Sequence, residues 1–188
     1  MSKLHIIITS TRPGRQGPAV GKWFHGFAAR HGKFEAELID LADFTLPVYD
    51  EPNYPQLKQY QHDHTKAWSA SVAAADAFVF VTPEYNYGPP PSFVNALNYL
   101  YQEWNYKPAA FVSYGGVSGG TRAVQMEKLL LTTLKIVPLA EQVTLPSFTQ
   151  FINAEGVFTG NELHEKSAGD MLGELYRWTE ALKPLRVA

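Results

Sequence analysis

Apolar residues in this chain fall into short runs, separated by longer stretches in which they recur at helical spacing. Leu4-His5-Ile6-Ile7-Ile8 has the length and branched content of a strand buried on both faces. From Pro18 a helix is predicted, with proline in its first turn. Val20, Trp23, Phe24, Phe27 and His31 recur at helical spacing, and Gly32 stands where a C-terminal glycine belongs. Residues 34–38 alternate apolar and charged, the pattern of an exposed or edge strand. Residues 42–55, with three prolines, read as loop, and residues 57–75 as helix. A second buried run, residues 77–81, follows. Phe93, Leu97, Leu100 and Trp104 then form one apolar stripe on a helix, serving either the core or a subunit interface. Residues 109–113 are a further buried strand, and Ala123, Met126, Leu130 and Leu134 mark the next helix. The last strand is 136–139 or 141–145. Leu172, Leu175, Trp178 and Leu182 lie on a closing helix.

Five alternations of strand and helix call for a parallel sheet covered by helices on both faces. With the alternating second strand at an edge, the pattern suits an α/β three-layer sandwich of the flavodoxin-like type. Its five-stranded parallel sheet has the order 2-1-3-4-5. The competing dinucleotide-binding arrangement wants G-x-G-x-x-G after the first strand, which is missing. No repeat or long linker divides the chain, so residues 1–188 are expected to form a single domain.

Composition narrows the chemistry. The absence of cysteine excludes disulfides, thiolate catalysis and Cys-ligated metal centres. A net charge of −2 and a pI of about 6.3 give no basic field for nucleic acid. No apolar run approaches the roughly 20 residues of a membrane span. The N-terminus enters a strand at once without a signal-peptide layout, so a cytoplasmic protein is expected.

Three loops carry candidate chemistry. Thr9-Ser10-Thr11-Arg12-Pro13-Gly14-Arg15-Gln16-Gly17-Pro18 joins the first strand to the first helix. Hydroxyls, glycines and two arginines at a helix N-terminus suit a phosphate, although an ordinary polar loop has similar content. Thr82-Pro83-Glu84-Tyr85-Asn86-Tyr87-Gly88-Pro89-Pro90-Pro91 follows the third strand. Its tyrosines offer faces and hydroxyls, Asn86 can donate and accept, and the prolines stiffen the loop, all of which suits a flat aromatic ligand. The competing reading packs those tyrosines against a neighbour. Glu84 is open between general acid, helix-terminus anion and salt-bridge partner. Ser113-Tyr114-Gly115-Gly116-Val117-Ser118-Gly119-Gly120-Thr121 follows the fourth strand, and its glycines let backbone approach a planar ligand. In the 2-1-3-4-5 order these three loops converge. The histidines add little: His62, His64 and His164 are expected at the surface, and His62-Asp63-His64 on a helix would not share a face. No metal ligands are assigned.

Taken together, the three loops resemble those of the NAD(P)H-dependent FMN reductases, the flavodoxin-like group that includes soluble quinone, azo-dye and chromate reductases. The resemblance runs from the first strand to about Pro138. Thr-Pro-Glu-Tyr-Asn-Tyr matches most specifically, followed by Ser-Tyr-Gly-Gly-x-x-Gly-Gly. The first loop departs twice from the family's Gly-Ser-x-Arg-x-x-Ser, with Thr9 for Gly and Arg15 for Ser, which assigns Arg15 to the phosphate in place of a hydroxyl. The resemblance implies FMN phosphate contacts from Ser10, Arg12, Arg15, Gln16 and Gly17. It implies ribityl and ring contacts from Pro83, Glu84, Tyr85, Asn86 and Tyr87, and further ones from Ser113, Tyr114, Gly115 and Gly116. It also implies NADPH or NADH as reductant and a homodimer or homotetramer. The reaction would pass hydride through FMN to a quinone, azo compound or free flavin, with no essential protein acid or base. The rival readings are a flavodoxin-type electron carrier, disfavoured by the low net charge, and a non-catalytic flavin-binding relative.

Overall fold

The computed structural model describes residues 1–186. Five parallel strands form one sheet in the order β2-β1-β3-β4-β5, with β2 at one edge. They are β1 (Ser2–Ile8), β2 (Phe34–Asp40), β3 (Ala77–Pro83), β4 (Pro108–Tyr114) and β5 (Val137–Leu145). Strand pleating sorts the core into two halves. Leu4, Ile6, Val79, Val81, Ala110 and Val112 point to the layer of α1 (Gly17–His31) and α5 (Glu162–Leu182). Ile7, Phe78, Phe80, Ala109 and Phe111 point to the other layer, with α2 (Asp63–Ala74), α3 (Pro91–Asn98) and α4 (Thr121–Thr133). Among the described residues, no helix is long and apolar enough to cross a membrane.

Several local expectations are corrected. The helix expected over 57–75 starts only at Asp63. Pro55–Leu57 is a separate 3-10 turn, and Lys58 adopts a left-handed φ of 53° that ends it. Before α2, the amides of Gln61 and His62 donate to the Glu51 carboxylate, at 2.8 and 3.0 Å. The third helix ends early, and the stripe continues through a turn into a 3-10 segment, Gln102–Trp104. All four stripe residues are buried within the chain, so they serve its core. Both candidate last strands belong to β5, whose pairing with β4 is interrupted by a bulge between Ala109 and Phe111. On α4 the buried face is Ala123, Val124, Glu127 and Leu131, while Met126 is half exposed. The stripe was misplaced because a carboxylate occupies a core position.

The histidines also differ from expectation. His62 and His64 stack at 5.1 Å and both face Asp50, which lies 3.1 Å from His64 Nε2. They meet because His62 precedes α2 rather than lying within it. His164 is buried, accepts from the Asn161 amide in a capping box, and packs edge-on to Phe151. Among the described residues, no group of three or more His, Cys, Asp or Glu is placed to hold a metal ion.

Phe93 is buried edge-on against Phe80, 5.0 Å between centroids. Phe93→Ala is expected to lower unfolding free energy by about 3–5 kcal/mol in urea titrations, and Met126→Ala by less than about 0.5 kcal/mol. Similar losses for the two would contradict this assignment of the core.

Candidate active site

At the end of β1 the chain is tied to β3: both the amide and the hydroxyl of Thr9 donate to the Val81 carbonyl at 3.1 Å. From α3 the Ser92 hydroxyl donates to the Thr9 carbonyl. Ser10 then turns inward and is fully buried, with its Oγ 3.2 Å from the Tyr114 hydroxyl. α1 begins against this pair. A Cβ on Gly17 would lie 2.6 Å from Ser10 Oγ and 2.9 Å from the Tyr114 oxygen, so the helix can start here only without a side chain. Among the described residues, the amides of Ser10, Thr11, Arg12 and Gln16 have no intramolecular acceptor. Arg12 is exposed, among the described residues donates only to the Pro13 carbonyl, and reaches within 5.9 Å of the Tyr85 ring centre. Arg15 turns away and pairs with Asp40 at the end of β2.

After β3 the loop closes on itself. Tyr85 and Gly88 exchange two backbone hydrogen bonds, each 2.9 Å. Between them Asn86 and Tyr87 have φ of 49° and 69°, the two left-handed residues of a type I′ turn. A tyrosine in that region is strained by about 1–2 kcal/mol. Its ring lies against the Arg122 guanidinium, 3.8 Å from the ring centre. Arg122, in the first turn of α4, is in turn held by Glu84, with Nε 2.7 Å from Oε1. Ser118 Oγ and the Arg122 amide donate to Glu84 Oε2 at 3.0 and 3.2 Å. Glu84 thus braces the β3 loop against the β4 loop. Burial raises its carboxyl, but the Arg122 and Ser118 hydrogen bonds and the Arg122 charge outweigh this and hold it below the ordinary glutamate range. It is a bound anion at neutral pH, which resolves its role in favour of the salt bridge.

The β4 loop opens with Tyr114, buried against Phe148 at 4.9 Å between ring centres. Burial pushes its phenol well above the usual range, so it remains an O–H group. The Gly115 amide donates to the Leu145 carbonyl, and the Gly116 carbonyl accepts from Gly119 and Ser147. Gly120 has φ of 85°, and a Cβ there would sit 2.9 Å from that of Ser113. Gly116 faces open space.

The three loops enclose a cleft of about 260 Å³. Arg12, Gln16, Pro83, Glu84, Tyr85, Tyr114 and Gly115 line it, as does Phe148. Ser10 and Gly17 lie buried beside the Tyr114 hydroxyl, Ser113 is buried on the opposite face of the sheet, and Asn86, Tyr87 and Gly116 are exposed. Of the fourteen candidates, two are drawn elsewhere: Arg15 pairs with Asp40, and the pleat turns the Ser113 side chain to the face opposite Tyr114. Phe148 and Arg122 were missed: Phe148 follows β5 with only its place after a strand as a signal, and Arg122 is one charge among many in sequence. A larger cleft, about 330 Å³, lies on the far side of Thr11 between Leu41, Leu46 and Asn95. It lacks the glycine loop and the tyrosines.

A family model described as NADPH-dependent FMN reductase matches residues 2–150. The chain belongs to the NADPH-dependent FMN reductase family. It is an oxidoreductase whose cofactors are FMN and NAD(P)H. An NAD(P)H-dependent FMN reductase of Schizosaccharomyces pombe is 41% identical over 147 residues, 77% of this chain and 74% of the relative. An NADPH azoreductase of a Bacillus species is 33% identical over 115 residues, 60% and 62% of the two chains. The flavoenzyme NAD(P)H:(acceptor) oxidoreductase of Paracoccus denitrificans has the same fold, with a TM-score of 0.77 at 22% identity over 97% of this chain and 99% of that one. The cleft fits FMN on its own chemistry. Arg12 and Gln16 line it from a loop in which the amides of Ser10, Thr11, Arg12 and Gln16 have no intramolecular acceptor among the described residues, Gly115 lines it from the glycine loop, and Tyr85, Tyr114 and Phe148 supply aromatic surface.

Glu84→Gln is expected to lower stability at neutral pH by about 1–2 kcal/mol, the low part of the range for charged hydrogen bonds because Arg122 is half exposed. With its folded-state pKa depressed, Glu84 contributes fully above its ordinary pKa of about 4.5 and loses that contribution as pH falls through the folded value. Denaturation curves of the two proteins should therefore converge in acid. A gap that persists there would contradict the brace.

Proposed function

We propose that this reductase binds FMN in the three-loop cleft and passes electrons to a small planar acceptor such as a quinone, an azo compound or free flavin. The reading rests on the meeting, at the C-terminal end of the sheet, of a cationic amide-rich loop, a rigid aromatic turn and a glycine loop. The azoreductase among its relatives supports an acceptor of this size and shape.

Each loop has a distinct task. The amides of Ser10, Thr11, Arg12 and Gln16, without an intramolecular acceptor among the described residues, and the exposed Arg12 guanidinium would hold the phosphate at the start of α1. Arg15, committed to Asp40, positions the loop instead of the phosphate. The Pro83 and Asn86 backbone and the Tyr85 side chain would hold the flavin ring from the β3 loop, and Tyr114 and Gly115 from the β4 loop. Gly116, open to solvent, leaves room for the reductant and the acceptor. When bound, FMN supplies the redox chemistry, taking hydride from NAD(P)H and giving reducing equivalents to the acceptor. The protein holds and orients; Glu84 is ionised and braced, and Tyr114 keeps its proton, so neither exchanges protons at neutral pH. One open shelf used in turn by both substrates gives ping-pong kinetics. A cytoplasmic homodimer or homotetramer is the assembly we assign.

The purified protein is expected to carry flavin absorbance that NADPH bleaches without air and a quinone restores. A protein that stays colourless after FMN is added would overturn the reading. Arg12→Ala should weaken FMN binding by about 1.5–3 kcal/mol, whereas Arg15→Ala should weaken it by less than about 1 kcal/mol. Equal losses in a fluorescence titration would put both arginines on the phosphate.

A further inference from the structure

α4 places a carboxylate where its packing calls for a hydrocarbon. Glu127 is fully buried on the face that also presents Val124 and Leu131 to the sheet. Its Oε1 lies 2.6 Å from the Thr82 hydroxyl, and among the described residues Oε2 has no hydrogen-bond partner. Thr82 is the penultimate residue of β3, just before the cleft-lining Pro83, Glu84 and Tyr85. Beside it in register stands Ser113 of β4, whose buried Oγ is likewise without a partner. By the alternation of the pleat, Thr82 and Ser113 share the face of Phe80 and Phe111, the face that α4 covers.

We propose that Glu127 is a positioning residue for the flavin: from the core it grips Thr82 and so fixes the root of the turn that carries Tyr85, Asn86 and Tyr87. This rests on the flavin reading of the cleft. The neighbouring charges do not satisfy Glu127. β3 has no ionisable side chain, and Tyr114 of β4 turns to Ser10 on the opposite face. Glu141 of β5 acts on Lys128, and Arg122 is held by Glu84. Burial pushes the Glu127 carboxyl up to about 8, with the Thr82 hydrogen bond pulling the other way, so near neutrality it is an uncharged acid. As an acid it donates to Thr82 Oγ1, and the threonine hydrogen turns to the Pro83 carbonyl, 3.4 Å away. Loss of the proton to solvent reverses the bond: Thr82 donates to Glu127, Pro83 loses its donor, and an uncompensated charge is left in the core.

The test is FMN titration of the flavin-stripped full chain, read by fluorescence, from about pH 6.5 to about pH 9.5, in wild type, Glu127→Gln and Glu127→Leu. Wild-type affinity should fall about tenfold across that range as the carboxyl ionises. Glu127→Gln, which keeps a hydrogen bond to Thr82 but cannot ionise, should rescue binding to within about twofold throughout. Glu127→Leu should bind about tenfold more weakly than wild type at the lower pH and show no further decline. A second readout is the melting temperature. Between its ordinary pKa of about 4.5 and about 8, native Glu127 holds a proton that the unfolded chain has released, so wild-type stability falls as pH rises and levels off above that window. Glu127→Gln should lack this decline. Flat wild-type affinity, or a decline shared by Glu127→Gln, would overturn the proposal, as would full affinity in Glu127→Leu. A wild type that never binds FMN would overturn the flavin reading itself, and the proposal with it.

Discussion

Everything functional here depends on β1 lying between β2 and β3, and β3 beside β4, all parallel. That order sets the C-terminal ends of β1, β3 and β4 next to one another at one end of the sheet, and three loops that are far apart in sequence emerge side by side. The two hydrogen bonds from Thr9 to the Val81 carbonyl are where the arrangement is fastened, because they join the root of the first loop to the strand that delivers the second. They continue the β1–β3 pairing one residue past Ile8 and Val81, and the Ser92 and Tyr114 hydroxyls hold the same loop from α3 and β4.

The loops themselves are held in unfavourable shapes by contacts from neighbouring elements. Asn86 and Tyr87 sit in left-handed conformations because the turn's own bond pair and the Arg122–Tyr87 stack offset the strain. Two carboxylates close to the same loop show how the environment divides their roles. Glu84, near the surface and ringed by donors, is ionised and braces one loop against another. Glu127, in the core and bonded to Thr82, keeps its proton near neutrality. They have the same side chain, pushed in opposite directions by hydrogen bonding and by burial.

The sequence made the scaffold readable because buried parallel strands are continuous apolar runs, and βα loops are marked by glycine and proline. Residues 4–8, 77–81 and 109–113 could hardly be anything else. The glycine loop and the tyrosine turn were legible for the same reason, since their backbone demands restrict residue type. What stayed hidden was pairing between distant charges. Nothing near Arg15 in sequence announces Asp40, and nothing near Glu84 announces Arg122. The start of α2 was misread because Glu51, ten residues upstream, supplies acceptors for the amides that precede it. Glu127 shifted the apparent stripe of α4, since periodicity treats a carboxylate as surface.

Whether the three loops form one flavin seat is tested by amide hydrogen exchange of the full chain with and without FMN. A shared seat should protect residues 10–17, 84–87 and 115–116 together, with little change from Leu41 to Leu46. Protection confined to one loop, or centred on the cleft beside Leu41 and Asn95, would contradict it.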